Sequence, residues 1–206
     1  MSYEVELKPN LFVGRYFSID ENSIIYHDTE MVVADIVSFA YGEIKVMINR
    51  FASRTEYGFS FKDNSGDEIK FTFYSTVNLS LNTLETYNTI VKNVWECFGN
   101  RIMNEMIQAI SNGRIVEIKD CKLSQDGIEI PYRPFIGEDI DYVVPWEDLT
   151  YESEGEFITI KSESEPKAKI DLHLNTDHHA QTLKMLIDIL YADKTYIDVL
   201  SGKKLN

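Results

Sequence analysis

The spacing of the apolar residues changes twice along this chain, and this change limits the folds that it can adopt. In the segments Tyr57–Phe61 and Ile69–Phe73, apolar and polar residues alternate. Between residues 81 and 110, the apolar residues recur at every third or fourth position instead. Alternation is typical of half-buried strands, and the longer period is typical of an amphipathic helix. The same order of strands and then a helix returns over residues 115–191, so the sequence predicts an α+β chain that is mainly β.

The repeated order of elements predicts two domains. A length of 206 residues is enough for two domains of about 100 residues each. The run Ser23–Tyr26 corresponds to Gly127–Ile130 in the second half, and the hairpin of the first half corresponds to residues 157–174. We predict a first domain over residues 1–110, ending in a long helix. A second domain is predicted over residues 111–206, ending in a helix and a short tail.

Glycine residues mark the limits of the predicted long helix. The pair Gly99-Asn100 is expected to kink or split this helix, and Gly113 is expected to end it in the left-handed conformation. The turns beyond the kink are expected to pack against the second domain through Met103, Met106 and Ile107. A final helix is predicted from about Thr176 to Tyr191, with one apolar face formed by Leu183, Leu186, Ile187 and Leu190.

Two segments of the second half carry a family resemblance. Asp126–Ile130 opens a strand on Gly-Ile, and Val144–Leu149 reads Val-Pro-Trp-Glu-Asp-Leu. Together with the preceding Asn112–Val116, these segments resemble the strands of bacterial pleckstrin-homology-like (PH-like) domains over residues 111–192. In the first half, the resemblance is carried by Asp35-Ile36 and by the final hairpin.

The resemblance implies a fold and a general role. The implied fold is two PH-like antiparallel β-barrel domains in tandem, each closed by a C-terminal α-helix. Domains of this kind are mostly binding and assembly modules, so the resemblance implies no catalytic residues. Independently of the family, Trp146 follows a proline in a strand that also carries acidic residues. A ring of this size is expected to fill one end of a small core.

The charge of the chain excludes several classes of partner. There are 34 acidic against 20 basic residues, which gives a formal net charge of -14. Because such a surface repels polyanions unless a local basic patch overrides the net charge, we predict no binding to nucleic acid, and the charge argues against anionic membranes. The sequence has no apolar run of about 18 residues and no signal-peptide pattern. With Cys97 and Cys121 interpreted as reduced thiols, these features predict a soluble cytoplasmic protein.

Catalytic and cofactor motifs are absent from the sequence. It contains no glycine-rich phosphate loop, no Ser/His/Asp arrangement and no HExxH motif. We therefore predict that the chain is not an enzyme and binds no cofactor. One alternative, a metal-dependent hydrolase, rests on Asp177-His178-His179, which resembles the name-giving triplet of the DHH phosphoesterases. With His173 this triplet is a candidate metal site, and a solvated helix N-terminus is the structural interpretation of the same residues.

A second alternative is a peripheral lipid-binding module. Phosphoinositide-binding PH domains place lysine and arginine around the loop that joins their first two strands. The corresponding loops here, His27–Glu30 and Pro131–Asp139, contain one arginine between them and several acidic residues. Recognition of anionic lipids needs several converging basic side chains, so these loops argue against this alternative.

The leading hypothesis is a soluble binding or scaffold module that recognises a protein partner, with self-association left open. Four residues are candidates for partner contact. Arg50 and Arg54 flank the middle strands and are interpreted as an exposed charged face, or as a site for a small anion. Tyr196 and Ile197 lie in the tail after the final helix. This tail is expected to pair with a sheet edge, to add a turn of helix or to fray.

Overall fold

The structure is a computed structural model in which two compact units follow one another along the chain. The units are Met1–Ile102 and Met103–Asn206. Of the described residues, 47% lie in strands and 29% in helices. The prediction of a mainly β chain is therefore confirmed. The residues that the structure describes are 2–7, 14–49, 52–75, 80–132 and 140–203.

The first unit contains two antiparallel sheets. Its strands are β1 (Tyr3–Leu7), β2 (Arg15–Ile19), β3 (Ser23–Tyr26), β4 (Thr29–Val32), β5 (Ile36–Asn49), β6 (Ala52–Asp63) and β7 (Glu68–Ser75). The first four strands form one sheet in the order β1-β2-β3-β4, and the other three form a second sheet in the order β5-β6-β7. A single turn of 3-10 helix over Val33–Asp35 joins the two sheets.

The predicted hairpin is confirmed as the pair β6 and β7. Phe59 lies opposite Phe71, and Tyr57 lies opposite Phe73, so the alternating aromatic residues share one face. The turn between the strands is held by the carboxylate of Asp63. Its Oδ1 accepts hydrogen bonds from the backbone N–H groups of Ser65 at 3.0 Å and of Asp67 at 2.9 Å.

The long helical segment consists of α1 (Ser80–Val94), one π-helical turn (Trp95–Gly99) and α2 (Asn100–Ser111). The predicted kink or split at Gly99 is thus a local widening, and the helix continues through it. A Cβ at Gly99 would lie 2.8 Å from Cε3 of Trp95, so glycine makes room for that ring. The Trp95 indole donates a hydrogen bond to the Tyr41 hydroxyl at 2.8 Å. At the other end, Gly113 has a φ of 77°, which confirms the predicted left-handed C-cap.

Both sheets and the helical segment contribute to one hydrophobic core in the first unit. Phe17 comes from the first sheet, Phe59 from the second and Ile90 from α1, and all three are buried. Burying each such side chain stabilises the fold by about 1.5–3 kcal/mol. Arg101 supports the junction of the sheets, because its guanidinium donates to the carbonyl of Ile36 at 2.7 Å.

The second unit also contains two antiparallel sheets, followed by two helices. The sheets have the strand orders β11-β10-β9-β8 and β12-β13-β14. The elements are β8 (Val116–Ile118), β9 (Cys121–Ser124), β10 (Gly127–Tyr132), β11 (Ile140–Val144), β12 (Leu149–Glu154), β13 (Phe157–Ser162), β14 (Lys169–His173), α3 (Ala180–Ala192) and α4 (Thr195–Leu200).

The helix α3 and Trp146 supply much of the core of the second unit. The predicted apolar face of α3 is buried, as are Met103, Met106 and Ile107 of α2. Trp146 is buried too, and its indole donates to the carbonyl of Ser124 at 3.0 Å. The helix begins at Ala180 rather than at Thr176, because the N–H groups of Thr176 and Asp177 both donate to the carbonyl of His173 in a separate turn.

The prediction of two closed barrels is wrong. The described strands form four separate sheets, and none of them closes on itself. Among the described residues, β1 pairs only with β2, and β7 pairs only with β6. The predicted helix that closes each barrel is wrong as well, because there is no barrel for it to close. Alternation identifies the buried face of a strand but not its hydrogen-bonded neighbours, so the sequence does not determine closure.

One carboxylate of the second unit makes its stability depend on pH. Asp148 accepts hydrogen bonds from the Ser162 hydroxyl, from the Ser164 hydroxyl at 2.7 Å and from the Ser164 N–H at 3.0 Å. These bonds, above all that from Ser162, lower the pKa of the Asp148 carboxyl. Because the folded pKa lies below the unfolded value of about 3.9, the carboxylate stabilises the fold above that pH. This contribution is lost as the pH falls through the folded pKa.

We therefore expect Asp148→Asn to flatten the loss of stability on acidification. Urea unfolding followed at neutral pH and at several values below about pH 4 measures this slope. Asp126→Asn, a change in an exposed turn of the same unit, is the matched control. An unchanged acid slope in Asp148→Asn would show that this carboxylate is not the source.

Candidate functional site

A cleft in the first unit lies where two sheet edges meet the N-terminal half of α1. Its volume is about 270 Å³. The strand β1 contributes Glu6 and Leu7, and β7 contributes Phe73 and Tyr74. The remaining lining residues lie on α1 and are Asn82, Thr83 and Thr86. The cleft is therefore lined by both sheets of the unit, which do not join into the predicted barrel.

Both strands at this cleft are edge strands. The strand β1 lies at the end of its sheet, and β7 lies at the end of the other. Within the described part of the chain, each of them has a hydrogen-bonded neighbour on one side only. The outer N–H and C=O groups of an edge strand are a template for pairing with another strand. The cleft thus combines a concave surface with backbone groups that can receive an extended segment.

The floor of the cleft is apolar and well supported. Leu7 and Phe73 are each 3% exposed. The Phe73 ring packs against Tyr57, with 5.5 Å between the ring centroids, and against Phe59, at 6.2 Å. Because these rings belong to the core of the unit, the floor is held in place by the fold. Apolar side chains of a bound segment would find preformed contacts here.

The rim of the cleft carries acidic and hydroxyl groups. Glu4 and Glu6 are both exposed on β1. Burial raises the pKa of the Tyr3 hydroxyl, which also shares a hydrogen bond with Thr86. The negative charge of Glu85 raises this pKa further. Among the described lining residues, the charge is that of Glu6, and the hydroxyl groups of Thr83 and Thr86 line the cleft with it. The rim therefore favours a ligand that brings positive charge.

Arg54 borders this cleft through Tyr74. Its Nε donates to the Glu56 carboxylate at 2.8 Å, and its guanidinium lies 4.6 Å from the centroid of the Tyr74 ring. The charge of Arg54 is thus balanced by Glu56 on the same strand. Arg50, which was predicted to share a charged face with Arg54, lies outside the described residues. An arginine that stacks on an aromatic ring and pairs with a carboxylate positions that ring.

Tyr196 and Ile197 lie in the second unit, on α4. Of the three alternatives for this tail, the structure shows the additional turn of helix. The carboxylate of Asp193 accepts hydrogen bonds from the N–H of Thr195 at 3.0 Å and from its hydroxyl at 2.8 Å. These bonds fix the start of a helical turn. Tyr196 is partly exposed there, and its role in partner contact stays a prediction.

Two residues named for the alternative metal site, His173 and Asp177, are engaged in other interactions. The Nε2 of His173 lies 2.8 Å from the Glu156 carboxylate, and its Nδ1 accepts a hydrogen bond from the N–H of Asn175. The carboxylate of Asp177 accepts hydrogen bonds from Lys119 and from the backbone of His173. In the described ranges, no group of three or more histidine, cysteine or acidic residues is arranged to hold a metal ion.

Neither cysteine has the properties of a reactive thiolate. Burial raises the pKa of Cys121 to about 12, and burial also raises that of Cys97 above its ordinary value. Both thiols are therefore protonated near neutral pH, and neither is part of a disulfide. Because the thiolate is the nucleophilic form, this environment disfavours cysteine catalysis.

Of the two loops considered for lipid binding, the structure describes the whole of the first, His27–Glu30. His27 and Asp28 form a tight turn between β3 and β4. The Nε2 of His27 lies 3.0 Å from the carboxylate of Asp28. Most of the corresponding loop in the second half, residues 133–139, lies outside the described residues. Among the helices of the described segments, none is both long and apolar enough to cross a membrane.

Sequence analysis missed Glu6 and Leu7 because β1 was not singled out as a strand. The signal was present, since Tyr3, Val5 and Leu7 alternate with two glutamates. The sequence does not indicate that β1 and β7 line the same cleft. This arrangement depends on tertiary contacts between segments about 70 residues apart.

Comparison with known proteins adds no family to this description. A scan of protein-family models gave no match to the chain. A search of curated proteins likewise gave no significant match. The resemblance to PH-like domains therefore stays a prediction, and a function has to be argued from the cleft and its chemistry.

Proposed function

We propose that this chain is a protein-binding module whose first unit binds an extended, basic peptide segment of a partner protein. The segment would lie in the cleft between β1 and β7. The carrying observation is that two strands with one edge unpaired among the described residues, an apolar floor and the carboxylate of Glu6 lie together in one cleft. The role proposed is one of binding or scaffolding rather than catalysis.

The recognition proposed here is strand addition to a sheet edge. In this mode, main-chain hydrogen bonds supply affinity, and alternate side chains of the peptide supply specificity. Side chains that point inward would contact Leu7 and Phe73 on the floor. Those that point outward would meet Glu6 on the rim, so lysine or arginine is favoured at these positions. The expected ligand therefore alternates apolar and basic residues.

The net charge supports a positively charged ligand, and the cysteines support a reducing compartment. The formal net charge of -14 favours encounter with a positively charged segment and disfavours anionic surfaces. Two free thiols without a disulfide are typical of reducing compartments, so we propose that the protein acts in the cytoplasm.

The first test is selection from a phage-displayed library of random peptides with the full chain as bait. We expect the selected sequences to alternate apolar with basic residues. The affinity of one selected synthetic peptide would then be measured by fluorescence polarisation. Glu6→Lys is expected to weaken binding at least about tenfold, which corresponds to 1.4 kcal/mol, because the substitution places like charges together.

Glu30→Lys provides the matched control. It makes the same charge reversal at an exposed residue of the same sheet, on the opposite edge strand β4. We expect this variant to bind the peptide almost as well as the unchanged protein. Equal losses in the two variants would show that net charge, and not the cleft, determines binding. A library without enrichment, combined with binding to vesicles containing phosphatidylserine, would favour the lipid-binding alternative instead.

A further inference from the structure

Four buried polar atoms at the start of α3 have no hydrogen-bond partner. In the described part of the chain, these are the only buried side-chain nitrogen and oxygen atoms in that condition. All four lie within eight residues of sequence. They are Nδ2 and Oδ1 of Asn175, Nδ1 of His179 and Oγ1 of Thr182.

Two of these side chains are deeply buried. Asn175 is 6% exposed and Thr182 is 0% exposed, so bulk water does not reach them. Buried polar groups in native proteins are nearly always paired with protein atoms or with an ordered molecule. Four unpaired atoms in one short stretch therefore need a common explanation. A leucine and a valine have similar sizes to these two residues and would leave no polar atom unpaired.

The turn that carries Asn175 is fixed on both sides. The N–H groups of Thr176 and Asp177 donate to the carbonyl of His173. The carboxylate of Asp177 accepts hydrogen bonds from the N–H of His173 at 2.7 Å and from Lys119 at 3.0 Å. Because the backbone is held in this way, the amide of Asn175 is presented from a defined position.

The other two groups lie at the N-cap of the helix and in its first turn. The carbonyl of His179 accepts the N–H of Leu183 at 2.8 Å, so the helical hydrogen bonds begin at this residue. His179 is the N-cap residue and has a left-handed backbone conformation, with a φ of 69°, whereas Thr182 lies inside the helix, which begins at Ala180. Side chains on a helix tilt toward its N-terminus, and Thr182 is therefore directed toward the turn that contains Asn175.

The chemistry of this cluster is neutral and mixed. The amide of Asn175 both donates and accepts hydrogen bonds, and so does the hydroxyl of Thr182. Burial lowers the pKa of His179 to about 4, so its ring is uncharged at neutral pH. A charged ligand would find no counter-ion among these groups, whereas an uncharged molecule with both donors and acceptors would pair with all of them.

We infer that the N-terminal end of α3 encloses a site for a small uncharged hydrogen-bonding molecule, contacted by Asn175, His179 and Thr182. Two sources share this chemistry. One is internal water, which typically makes about three hydrogen bonds to buried groups that are otherwise unsatisfied. The other is a small organic molecule with hydroxyl or carboxamide groups. The site lies in the second unit and is independent of the peptide-binding proposal.

The sign of a stability change tests this inference. If a bound molecule satisfies Thr182, Thr182→Val removes a hydrogen bond, and the melting temperature is expected to fall by about 3 °C. If the site is empty, the same change removes an unsatisfied hydroxyl, and the melting temperature rises. Thr182→Ser keeps the hydroxyl and loses only the methyl group, so it measures the packing contribution separately.

A double variant tests whether the groups share one molecule. We expect Asn175→Leu and Thr182→Val to be non-additive in melting temperature, because loss of either group already weakens the same bound molecule. Additive, stabilising changes would overturn the inference.

Two direct measurements distinguish the sources of the ligand. Extraction of the denatured protein followed by mass spectrometry would reveal a stoichiometric organic molecule. Magnetisation transfer from water to the side-chain amide of Asn175 in the full chain would instead identify internal water. Failure of both measurements would overturn the inference, whatever the result of the peptide selection.

Discussion

Replacing Gly127 by alanine is expected to destabilise the second unit by more than about 4 kcal/mol, enough to prevent its folding in many buffers. Gly127 begins β10 with a φ of 142°, a conformation that L side chains rarely adopt. A Cβ at this position would lie 2.0 Å from the carbonyl oxygen of Val144 and 2.9 Å from Cα of Pro145. Both contacts are with backbone, so neither can be relieved by a side-chain rotation. Chemical unfolding followed by circular dichroism measures the loss.

Gly155→Ala separates the clash from the backbone conformation. Gly155 also has a positive φ, of 58°, but a Cβ there would meet no atom within 4 Å. Only the cost of the left-handed conformation remains, which is about 1–2 kcal/mol. Similar losses in the two variants would show that the close approach to Val144 does not determine the stability of this strand.

Phe59→Ala is expected to destabilise the first unit by about 4 kcal/mol, through lost burial and the cavity left behind. Phe59 is 1% exposed and lies at the centre of the aromatic core. Its ring centroid lies between 5.3 and 6.2 Å from those of Phe61, Phe71, Phe73, Tyr41 and Tyr87. Denaturant titration followed by circular dichroism measures the change.

Tyr16→Ala is the matched control for this cavity. Tyr16 lies on β2 of the same unit and is 43% exposed, so its removal is expected to cost less than about 1 kcal/mol. If Phe59→Ala were no more harmful than Tyr16→Ala, the aromatic cluster would not be the main source of stability. Because Phe73 joins this cluster to the cleft floor, Phe59→Ala is also expected to weaken peptide binding.

Local sequence patterns predicted the strands and helices of this protein correctly in most places, but not whether its sheets close into barrels. The alternation of aromatic residues in the hairpin and the left-handed glycine at Gly113 depend on a few adjacent residues, and both are confirmed. The start of α3 was placed four residues early, at Thr176 instead of Ala180. The polar residues before Ala180 are good helix caps in isolation, but here the carboxylate of Asp177 binds the backbone of His173 instead.

The candidate cleft could not be predicted from the sequence. Arg54 was singled out as a charged surface residue, and its contact with Tyr74 brings it to the border of the cleft. Glu6, which lines the cleft, is not among the predicted site residues, because the sequence analysis does not single out β1 as a strand. Neither residue indicates by itself that β1 and β7 line the same cleft.

The sequence by itself determined which segments form strands and helices and which of their faces are buried. These properties follow from the spacing of apolar residues and from local backbone preferences, which act over a few residues. Tertiary structure alone decided that the described strands form four sheets that do not close, that β1 and β7 line one cleft, and that four polar atoms at the start of α3 are buried without a partner. The physical reason is that edge pairing and burial depend on contacts between segments far apart in the chain, where many arrangements satisfy the same alternating pattern.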